Sequence, residues 1–276
     1  MQAEQKEKAT RFRSLHSGSS MLILPNVWDA ASARIIEQAG FPAIATTSSG
    51  VAAALGYPDG QHISREMQVE TTERITRVVH CPVSVDSEAG YGHTIEEVIE
   101  SIRAIIAAGA VGINIEDTTK GPQRALVDIA YQVELIQALR HLATSMAIPF
   151  VINARTDIFL LPGDDPDARF AQTVQRANAY LQAGADCTFP IGVKDASTIA
   201  RLVQAIQGPV NVAASFTTLS LPELAQLGVA RVSFTSWVMR AVLGRLRVIA
   251  RELFEHGTYE SLASEALSSA ELGKLW

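Results

Sequence analysis

The stretch VSVDSEAGYG, residues 83–92, joins a strand pattern to an acidic turn. Its first half alternates valine with Ser84 and Asp86, which is the period-two pattern of a β-strand. Two carboxylates, Asp86 and Glu88, stand where the strand ends, and glycine-rich turn residues follow. Acids at that point are either solubilising residues of a strand terminus or the floor of a metal site.

The same succession of strand, turn and helix runs through the rest of the chain. Eight apolar runs are predicted strands: 21–29, 43–49, 82–88, 111–117, 149–157, 186–192, 209–215 and 231–236. Amphipathic helical patterns separate them, and four of these end at a glycine suited to a left-handed C-cap: Gly40, Gly109, Gly184 and Gly228. Eight strand–helix units favour an α/β fold of the (β/α)8 TIM-barrel class. A doubly wound open sheet is the alternative, but no glycine-rich phosphate fingerprint follows the first strand.

Composition limits the classes of function. The chain has 276 residues, 47% of them hydrophobic, and a net charge of −6, which weighs against a nucleic-acid partner. Two cysteines fit a reducing compartment, and we find no signal-peptide pattern and no apolar run long enough for a membrane. We therefore expect a cytoplasmic protein with one domain over residues 1–276. A helical extension, predicted from about residue 238, carries enough leucine and alanine to pack on a neighbouring subunit.

Polar residues recur at the ends of the predicted strands, on one alternating face. They are Ser84, Asp86 and Glu88; Asn114 and Glu116; Asn153, Arg155 and Asp157; Asn211 and Ser215; and Arg231, Ser233 and Thr235. Because the carboxyl ends of barrel strands surround the active site, we expect these side chains to meet there. Isolated surface acids would not repeat this placement in strand after strand.

The acids in this set suggest a metal. Asp86, Glu88 and Glu116 are hard oxygen ligands, and three packed carboxylates are costly unless a cation neutralises them. Mg²⁺ would do so, leaving Arg155 to bind a substrate carboxylate in bidentate fashion. A 2-oxo acid suits such a site, through its keto oxygen and one carboxylate oxygen. In the alternative reading, Arg155 is a structural partner of the acids and Asp157 simply pairs with it.

At these residues the chain resembles the isocitrate lyase / phosphoenolpyruvate mutase superfamily. The resemblance is carried, in the family's order and roughly its spacing, by NVWDAASARIIEQAGFPAIATTSSGVAAALGYPDG (26–60), VSVDSEAGYG (83–92), GINIED (112–117) and NARTD (153–157). It implies a (β/α)8 barrel with extra C-terminal helices that exchanges its last helix between subunits, as a homodimer or homotetramer. It also implies Mg²⁺, with Mn²⁺ as an alternative, and a small 2-oxo acid substrate processed through an enolate-like species.

The resemblance further implies roles for individual residues. Asp86 matches the direct metal ligand, and the wider metal set is Asp59, Glu88 and Glu116, with Asp59 anchoring metal-bound waters. Asp59, Glu116 and Arg155 are the residues implied to be catalytic, and Arg155 is the substrate-binding arginine. The remaining substrate-binding residues implied are Trp28, Ser49, Gly50, Val51, Asn211 and Thr235, with backbone N–H groups of Ser49–Val51 on an oxyanion or carboxylate.

The loop after the fourth strand departs from the family's lyases. It reads EDTTKGPQRALVD (116–128), without the cysteine and histidine of a KxCGH-type loop, and without the asparagine of the mutases. Lys120 is expected on a mobile, solvated loop. Our first hypothesis is a Mg²⁺-dependent C–C lyase or decarboxylase of a small 2-oxo or 2-hydroxy di- or tricarboxylic acid. The alternatives are a P–C bond enzyme of the phosphonopyruvate hydrolase or mutase type, a catalytically weak 2-oxo acid-binding barrel, and a Schiff-base aldolase using Lys120 or Lys194.

Overall fold

Short parallel strands form the centre of the molecule. The computed structural model describes residues 3–18, 20–120, 124–163, 165–263 and 266–276. In these ranges the strands are β1 (Leu22–Leu24), β2 (Asn26–Val27), β3 (Ile44–Thr46), β4 (Val83–Asp86), β5 (Gly112–Glu116), β6 (Val151–Thr156), β7 (Cys187–Pro190), β8 (Asn211–Ala213) and β9 (Arg231–Ser233). Every pairing between them is parallel.

The strands close into a ring made of two arcs. The long arc runs β2-β3-β4-β5-β6-β7, and the short arc runs β1-β9-β8. Pro25 separates β1 from β2 at one junction, and an isolated bridge between Thr188 and Val210 joins the arcs at the other. With β1 and β2 counted as one interrupted strand, the ring has the eight positions of a (β/α)8 barrel. The predicted fold class is confirmed.

Helices follow the strands. They are α1 (Ala3–Leu15), α2 (Ala30–Gln38), α3 (Ser48–Ala54), α4 (Arg65–Val78), α5 (Ile95–Ala107), α6 (Ile129–Ser145), a 3-10 turn (Ile158–Leu160), α7 (Pro166–Gln182), α8 (Ala196–Ala205), α9 (Leu221–Gln226), α10 (Trp237–His256), α11 (Glu260–Ala263) and α12 (Ser269–Gly273). The four glycines predicted as left-handed caps have φ values of 91°, 99°, 112° and 82° in chain order. None of the described helices combines the length and apolar character needed to cross a membrane.

The apolar core lies between the ring and its helices. Buried isoleucines of α5, at 102, 105 and 106, pack against β5, where Ile113 and Ile115 are fully buried. α1 covers the amino-terminal end of the barrel, where Gln5 donates to the carbonyls of Ile106 and Ala110. Phe12 lies so close to Gly112 that a Cβ there would be 2.8 Å from the Phe12 ring. Helix α1 thus closes one end of the barrel and leaves the carboxyl end for the site.

Candidate active site

A cavity of about 260 Å³ opens at the carboxyl ends of the strands, and we call it the inner cavity. Asp86 from β4, Arg155 from β6 and Thr235 after β9 line it, together with Ser49 of α3 and the exposed Asp59. These five residues come from distant parts of the chain, and all were predicted site residues. The alternation of strand side chains explains their meeting, since the parallel strands all deliver their ends to the same rim.

Asp86 is held by neutral donors. Its Oδ1 accepts from Asn114 Nδ2 at 3.0 Å, and its Oδ2 accepts from the backbone N–H of Ser48 at 3.1 Å. Asn153 continues the row by donating its Nδ2 to Asn114 Oδ1 at 2.9 Å. Strand register dictates this row, because Asp86, Asn114 and Asn153 are paired neighbours on β4, β5 and β6.

A second cavity of about 530 Å³ lies beside the first, and we call it the rim crevice. Glu88 and Glu116 line it, and Lys120 bridges them, with its Nζ 2.8 Å from Glu88 Oε2. The Lys120 side chain is only 20% exposed, so the expectation of a solvated lysine was wrong. Two buried carboxylates attract the nearest flexible cation, and that attraction outweighs the hydration the lysine would keep on a free loop.

Glu88 does not continue the inward face of β4. It lies beyond the strand end with a φ of 49°, which turns its side chain away from the inner cavity. Its carboxylate accepts from the Tyr91 hydroxyl at 3.0 Å and from the Gln61 N–H at 2.9 Å. The strand parity that placed Glu88 beside Asp86 therefore ends at the last strand residue.

Arg155 is engaged by two acids. Its Nε and Nη2 donate to the two oxygens of Asp157 at 2.5 and 3.0 Å, and its Nη1 lies 3.0 Å from Glu116. The expectation that its bidentate edge is free for substrate is therefore corrected: Asp157 occupies that edge. Arg124, which sequence patterns did not single out, pairs with Asp157 as well and also lines the inner cavity. Asp157 is fully buried, and two cations compensate the cost of its burial.

Burial and charge shift the acids of the rim crevice in opposite directions. Burial raises the pKa of Glu88 despite the attraction of Lys120. Burial also opposes ionisation of Glu116, but Arg155 and Lys120 outweigh it and hold the pKa of Glu116 below its usual value. In turn, the two glutamates outweigh burial and raise the pKa of Lys120. Glu116 and Lys120 thus stabilise each other's charged forms.

Two acids that line the inner cavity, Asp86 and the exposed Asp59, have no ion pair with any described residue. Glu88, Glu116 and Asp157 contact Lys120, Arg124 and Arg155. Asp86 forms no ion pair with any described residue, and it faces the inner cavity.

The donor set suits Mg²⁺ at Asp86. No group of three or more Asp, Glu, His or Cys side chains converges as a metal cage within the described ranges. Mg²⁺ does not need such a cage, because it is usually bound through one or two carboxylates and keeps several waters. The Asp86 carboxylate, which has no cation partner among the described residues, and Asp59, which lines the same cavity, match that mode of Mg²⁺ binding.

Four predicted substrate-binding residues lie outside the described lining of the inner cavity. Gly50 and Val51 are buried in α3, and the Val51 N–H is bonded to the Thr47 carbonyl at 2.9 Å, so it is not free for a ligand. Trp28 packs with Val51 in a small apolar cluster. Asn211 donates its Nδ2 to Ser233 Oγ at 3.1 Å, and Ser233 lines the cavity. These residues position the wall rather than form it.

Arg231 is a lining residue whose importance the sequence did not reveal. It is the first residue of β9, is 2% exposed, and lies on the polar alternating face predicted for that strand. The only available signal was that parity, which marks a direction but not whether a cation has a partner.

Comparisons with known proteins agree with this geometry. A family model described as phosphoenolpyruvate phosphomutase matches residues 12–254. An uncharacterized protein of Mycobacterium tuberculosis is 34% identical over 80% of this chain and 80% of its own length. The 2-methylisocitrate lyase of Escherichia coli K12 is 28% identical over 95% of this chain and 89% of its own length. A crystal structure from Burkholderia cenocepacia J2315, provisionally assigned as a lyase or mutase, superposes with a TM-score of 0.91 at 36% identity, covering 98% of this chain and 96% of its own.

Proposed function

Since the chain belongs to the phosphoenolpyruvate phosphomutase family, we propose that it is a Mg²⁺-dependent enzyme that cleaves a C–C bond in a small 2-oxo di- or tricarboxylic acid by decarboxylation. One observation carries the choice of decarboxylation. The described lining of the inner cavity contains acids, arginines, neutral polar groups and a few apolar side chains, but no cysteine, histidine or lysine; His62 and Lys120 line the adjoining rim crevice instead. Cleavage of a 2-hydroxy acid needs a base for the hydroxyl and an acid for the carbanion, whereas loss of CO₂ needs neither at the bond that breaks.

Asp86 is the residue we propose to bind the metal directly. Asp59, which lines the same cavity, would hold metal-bound water, and Glu88 and Glu116 would act on that water only from the adjoining rim crevice, where Lys120 pairs with them. When bound, Mg²⁺ supplies a Lewis acid for the 2-oxo oxygen and stabilises negative charge developing there. Asn114 and the Ser48 N–H fix the orientation of the Asp86 carboxylate, so the ligand is already aimed at the cavity.

The chain's own residues would orient the substrate. Arg155 keeps N–H donors beyond those used by Asp157 and Glu116, and these would bind the carboxylate next to the keto group. The N–H of Ser49, near the start of α3, bonds to no described residue and would add a donor. The keto carbon is carbon 2, and the neighbouring carbon 3 bears the carboxylate that is lost. The bond between carbon 3 and this carboxylate breaks, CO₂ leaves, and the electron pair of the broken bond forms an enolate. Carbon 3 of that enolate takes a proton from solvent.

A direct assay tests this function. The purified chain with Mg²⁺ and oxaloacetate, the smallest substrate of this class, should produce pyruvate faster than Mg²⁺ alone. Asp86→Asn should lower that rate by at least about a hundredfold and weaken Mg²⁺ binding measured by calorimetry. Asp128→Asn, a change of the same type at the exposed N-cap of α6, is the control and should keep both. A rate no higher than that of Mg²⁺ alone across a panel of 2-oxo di- and tricarboxylates would rule out the proposal.

A second candidate is a P–C bond reaction on phosphonopyruvate. It is favoured by the family model itself and by the cations Lys120 and Arg124, which lie where a phosphoryl group could be neutralised. Turnover of phosphonopyruvate without turnover of any 2-oxo dicarboxylate would select it over decarboxylation.

A further inference from the structure

The inner cavity holds a guanidinium that makes no ion-pair contact with any described acid. Arg231 lines the cavity, and the one described hydrogen-bond partner of its guanidinium is His16, with Nη1 3.3 Å from Nε2. Its Nε is buried and bonds to no described group, and no described carboxylate lies within ion-pair distance of it. A buried charge normally has a partner of opposite sign, since leaving it unpaired is costly.

His16 cannot provide that opposite charge. Its Nδ1 lies 2.9 Å from the Phe12 carbonyl and so carries the proton, which leaves Nε2 as an acceptor for Arg231. Burial and the neighbouring guanidinium lower the pKa of His16 to about 3, so the ring is neutral. Burial lowers the pKa of Arg231 to about 10, although Cys187 and the Asp86 carboxylate across the cavity act in the opposite direction, and the guanidinium stays charged at neutral pH.

Two more polar atoms without partners line the same cavity. They are Ser84 Oγ and Asn153 Oδ1, both buried and unbonded to any described group. Ser84 stands two residues before Asp86 on β4, hence on the same inward face and one step deeper. The cavity is thus continuous from the proposed metal ligand to an unpaired cation and a free hydroxyl.

We propose that Arg231 and Ser84 form a subsite for a carboxylate of the substrate, deeper in the barrel than the keto group. The proposal rests on the proposed function, which places the keto end of the substrate at Asp86 and Arg155. A carboxylate held by an arginine is stabilised as an anion and is therefore poorly disposed to leave as CO₂. The subsite must then bind a carboxylate that the reaction retains. The preferred substrate is accordingly a 2-oxo tricarboxylic acid, and the product is a 2-oxo dicarboxylic acid.

Two ligands of equal chain length test the subsite without relying on turnover. 2-Oxoglutarate has the distal carboxylate, and 2-oxopentanoate has a methyl group in its place. With Mg²⁺ present, calorimetry should show the wild type binding 2-oxoglutarate at least tenfold more tightly. Arg231→Met should bring the two dissociation constants within twofold of each other, and Arg231→Lys should keep part of the preference. Arg201→Met, which removes an exposed arginine from α8, should leave the preference intact.

Thermal unfolding separates this role from a structural one. Because Arg231 is an unpaired buried charge, Arg231→Met should unfold at the same or a higher temperature than the wild type. The proposal would be overturned if Arg231→Met unfolded at a lower temperature and lost affinity for both ligands equally. It would also be overturned if the wild type bound neither ligand, or bound both with the same affinity. A free small carboxylate is the other source of this chemistry. Suppose that acetate binds to the complex with 2-oxopentanoate, and that 2-oxoglutarate binds no more tightly than 2-oxopentanoate. The subsite would then bind a free carboxylate and not a carboxylate of the substrate. Failure of the decarboxylation assay alone would leave these binding results standing.

Discussion

At the scale of single residues, the site pairs three acids with three cations, beside Asp86, Asp59 and Arg231, which form no ion pair with any described residue. Lys120 is the residue at which this balance is most directly tested, because among the described residues its ammonium group alone bridges the carboxylates of Glu88 and Glu116. Its raised pKa means that the stability it contributes is present below its usual pKa and is lost only at strongly alkaline pH.

Lys120→Met should therefore destabilise the metal-free protein at neutral pH. We expect a loss of about 2–4 kcal/mol, since two buried carboxylates lose their partner. Because burial has already raised the pKa of Glu88, protonation of Glu88 should relieve the repulsion, and the loss should be smaller at pH 5 than at pH 8. Added Mg²⁺ should recover more stability in the variant than in the wild type. Denaturant unfolding at the two pH values measures each effect.

The control removes the cation of an exposed ion pair. Arg74→Met breaks the Arg74–Glu70 pair on α4, in which both side chains are more than half exposed. Such a pair contributes at most about 0.5 kcal/mol, and its loss should not depend on Mg²⁺. Equal losses in the two variants would show that Lys120 is an ordinary surface residue.

Sequence patterns could place Asp86 and Arg155 but not the pairing of charges around them. Strand alternation fixes which way a residue points, and Asp86 obeys it because it belongs to the strand. Glu88 does not, since a left-handed residue has no fixed parity. Lys120 and Arg124 come from a loop, and no periodic signal links a loop cation to an acid on another strand.

At the scale of elements, α3 transmits packing to the metal ligand. Its first residue, Ser48, donates its N–H to Asp86, and its third residue, Gly50, lies against the loop before α2. A Cβ at Gly50 would be 2.7 Å from Thr47 Cγ2 and 2.8 Å from Trp28 Cβ, and the Trp28 atom cannot move without its backbone.

Gly50→Ala should consequently shift α3 despite the better helix propensity of alanine. We expect a loss of about 1–3 kcal/mol in stability and weaker Mg²⁺ binding, because the Ser48–Asp86 bond is displaced. Ala53→Gly, on the exposed side of the same helix, should cost about 1 kcal/mol through propensity alone and leave Mg²⁺ binding unchanged. If Gly50→Ala is as stable as the wild type and binds Mg²⁺ normally, the close packing described here is not significant.

His16, the residue that follows α1, makes the barrel sensitive to acid. The pKa of His16 is about 3 in the folded protein and 6.5 in its ordinary state. Between these pH values the His16 ring is therefore protonated in the unfolded chain but not in the folded one. The resulting stability is present above pH 6.5 and is lost as the pH falls from there toward 3, by about 5 kcal/mol in full. His16→Gln should flatten the dependence of unfolding free energy on pH between 6.5 and 4.

The matched change for this experiment is His141→Gln, at an exposed position of α6. It should leave the pH dependence as it is in the wild type. An unchanged slope in His16→Gln would mean that protonation of the His16 ring is not what destabilises the barrel in acid. The polar composition of residues 1–15 hides α1 from pattern analysis, because only Ala9 and Phe12 in this helix are buried.

At the scale of the whole molecule, the (β/α)8 class could be predicted because eight units repeat, whereas the association of the chain could not. Helix α10 exposes an apolar face that includes Leu243, Leu246 and Leu253, and Phe254 is 92% exposed. Contiguous apolar surface of this kind usually has a partner. We propose that the tail packs on a second copy of the chain, as the exchange of a terminal helix in a homodimer or homotetramer would require.

Sedimentation velocity at micromolar concentration should show a dimer or tetramer. Replacing Leu246 and Phe254 together with glutamate should give monomers that keep their circular dichroism spectrum, because neither side chain packs in the barrel core. Arg251→Glu changes the charge of the same helix at an exposed position and should not dissociate the assembly. A wild-type monomer at these concentrations would contradict the proposed role of the tail.

The two-arc construction of the ring has a consequence for motion. At the junctions the ladder is interrupted by Pro25 on one side and reduced to an isolated bridge between Thr188 and Val210 on the other, with the Phe234 N–H also donating to Asn26 Oδ1, whereas β5 and β6 share a continuous ladder. Amide hydrogens beside the junctions should therefore exchange with solvent sooner than those of β5 and β6. Asp86 and Arg155 belong to the long arc, and Arg231 belongs to the short one. A ligand that contacts residues of both arcs would hold the arcs together. It should therefore slow amide exchange at the junctions, although it does not contact them.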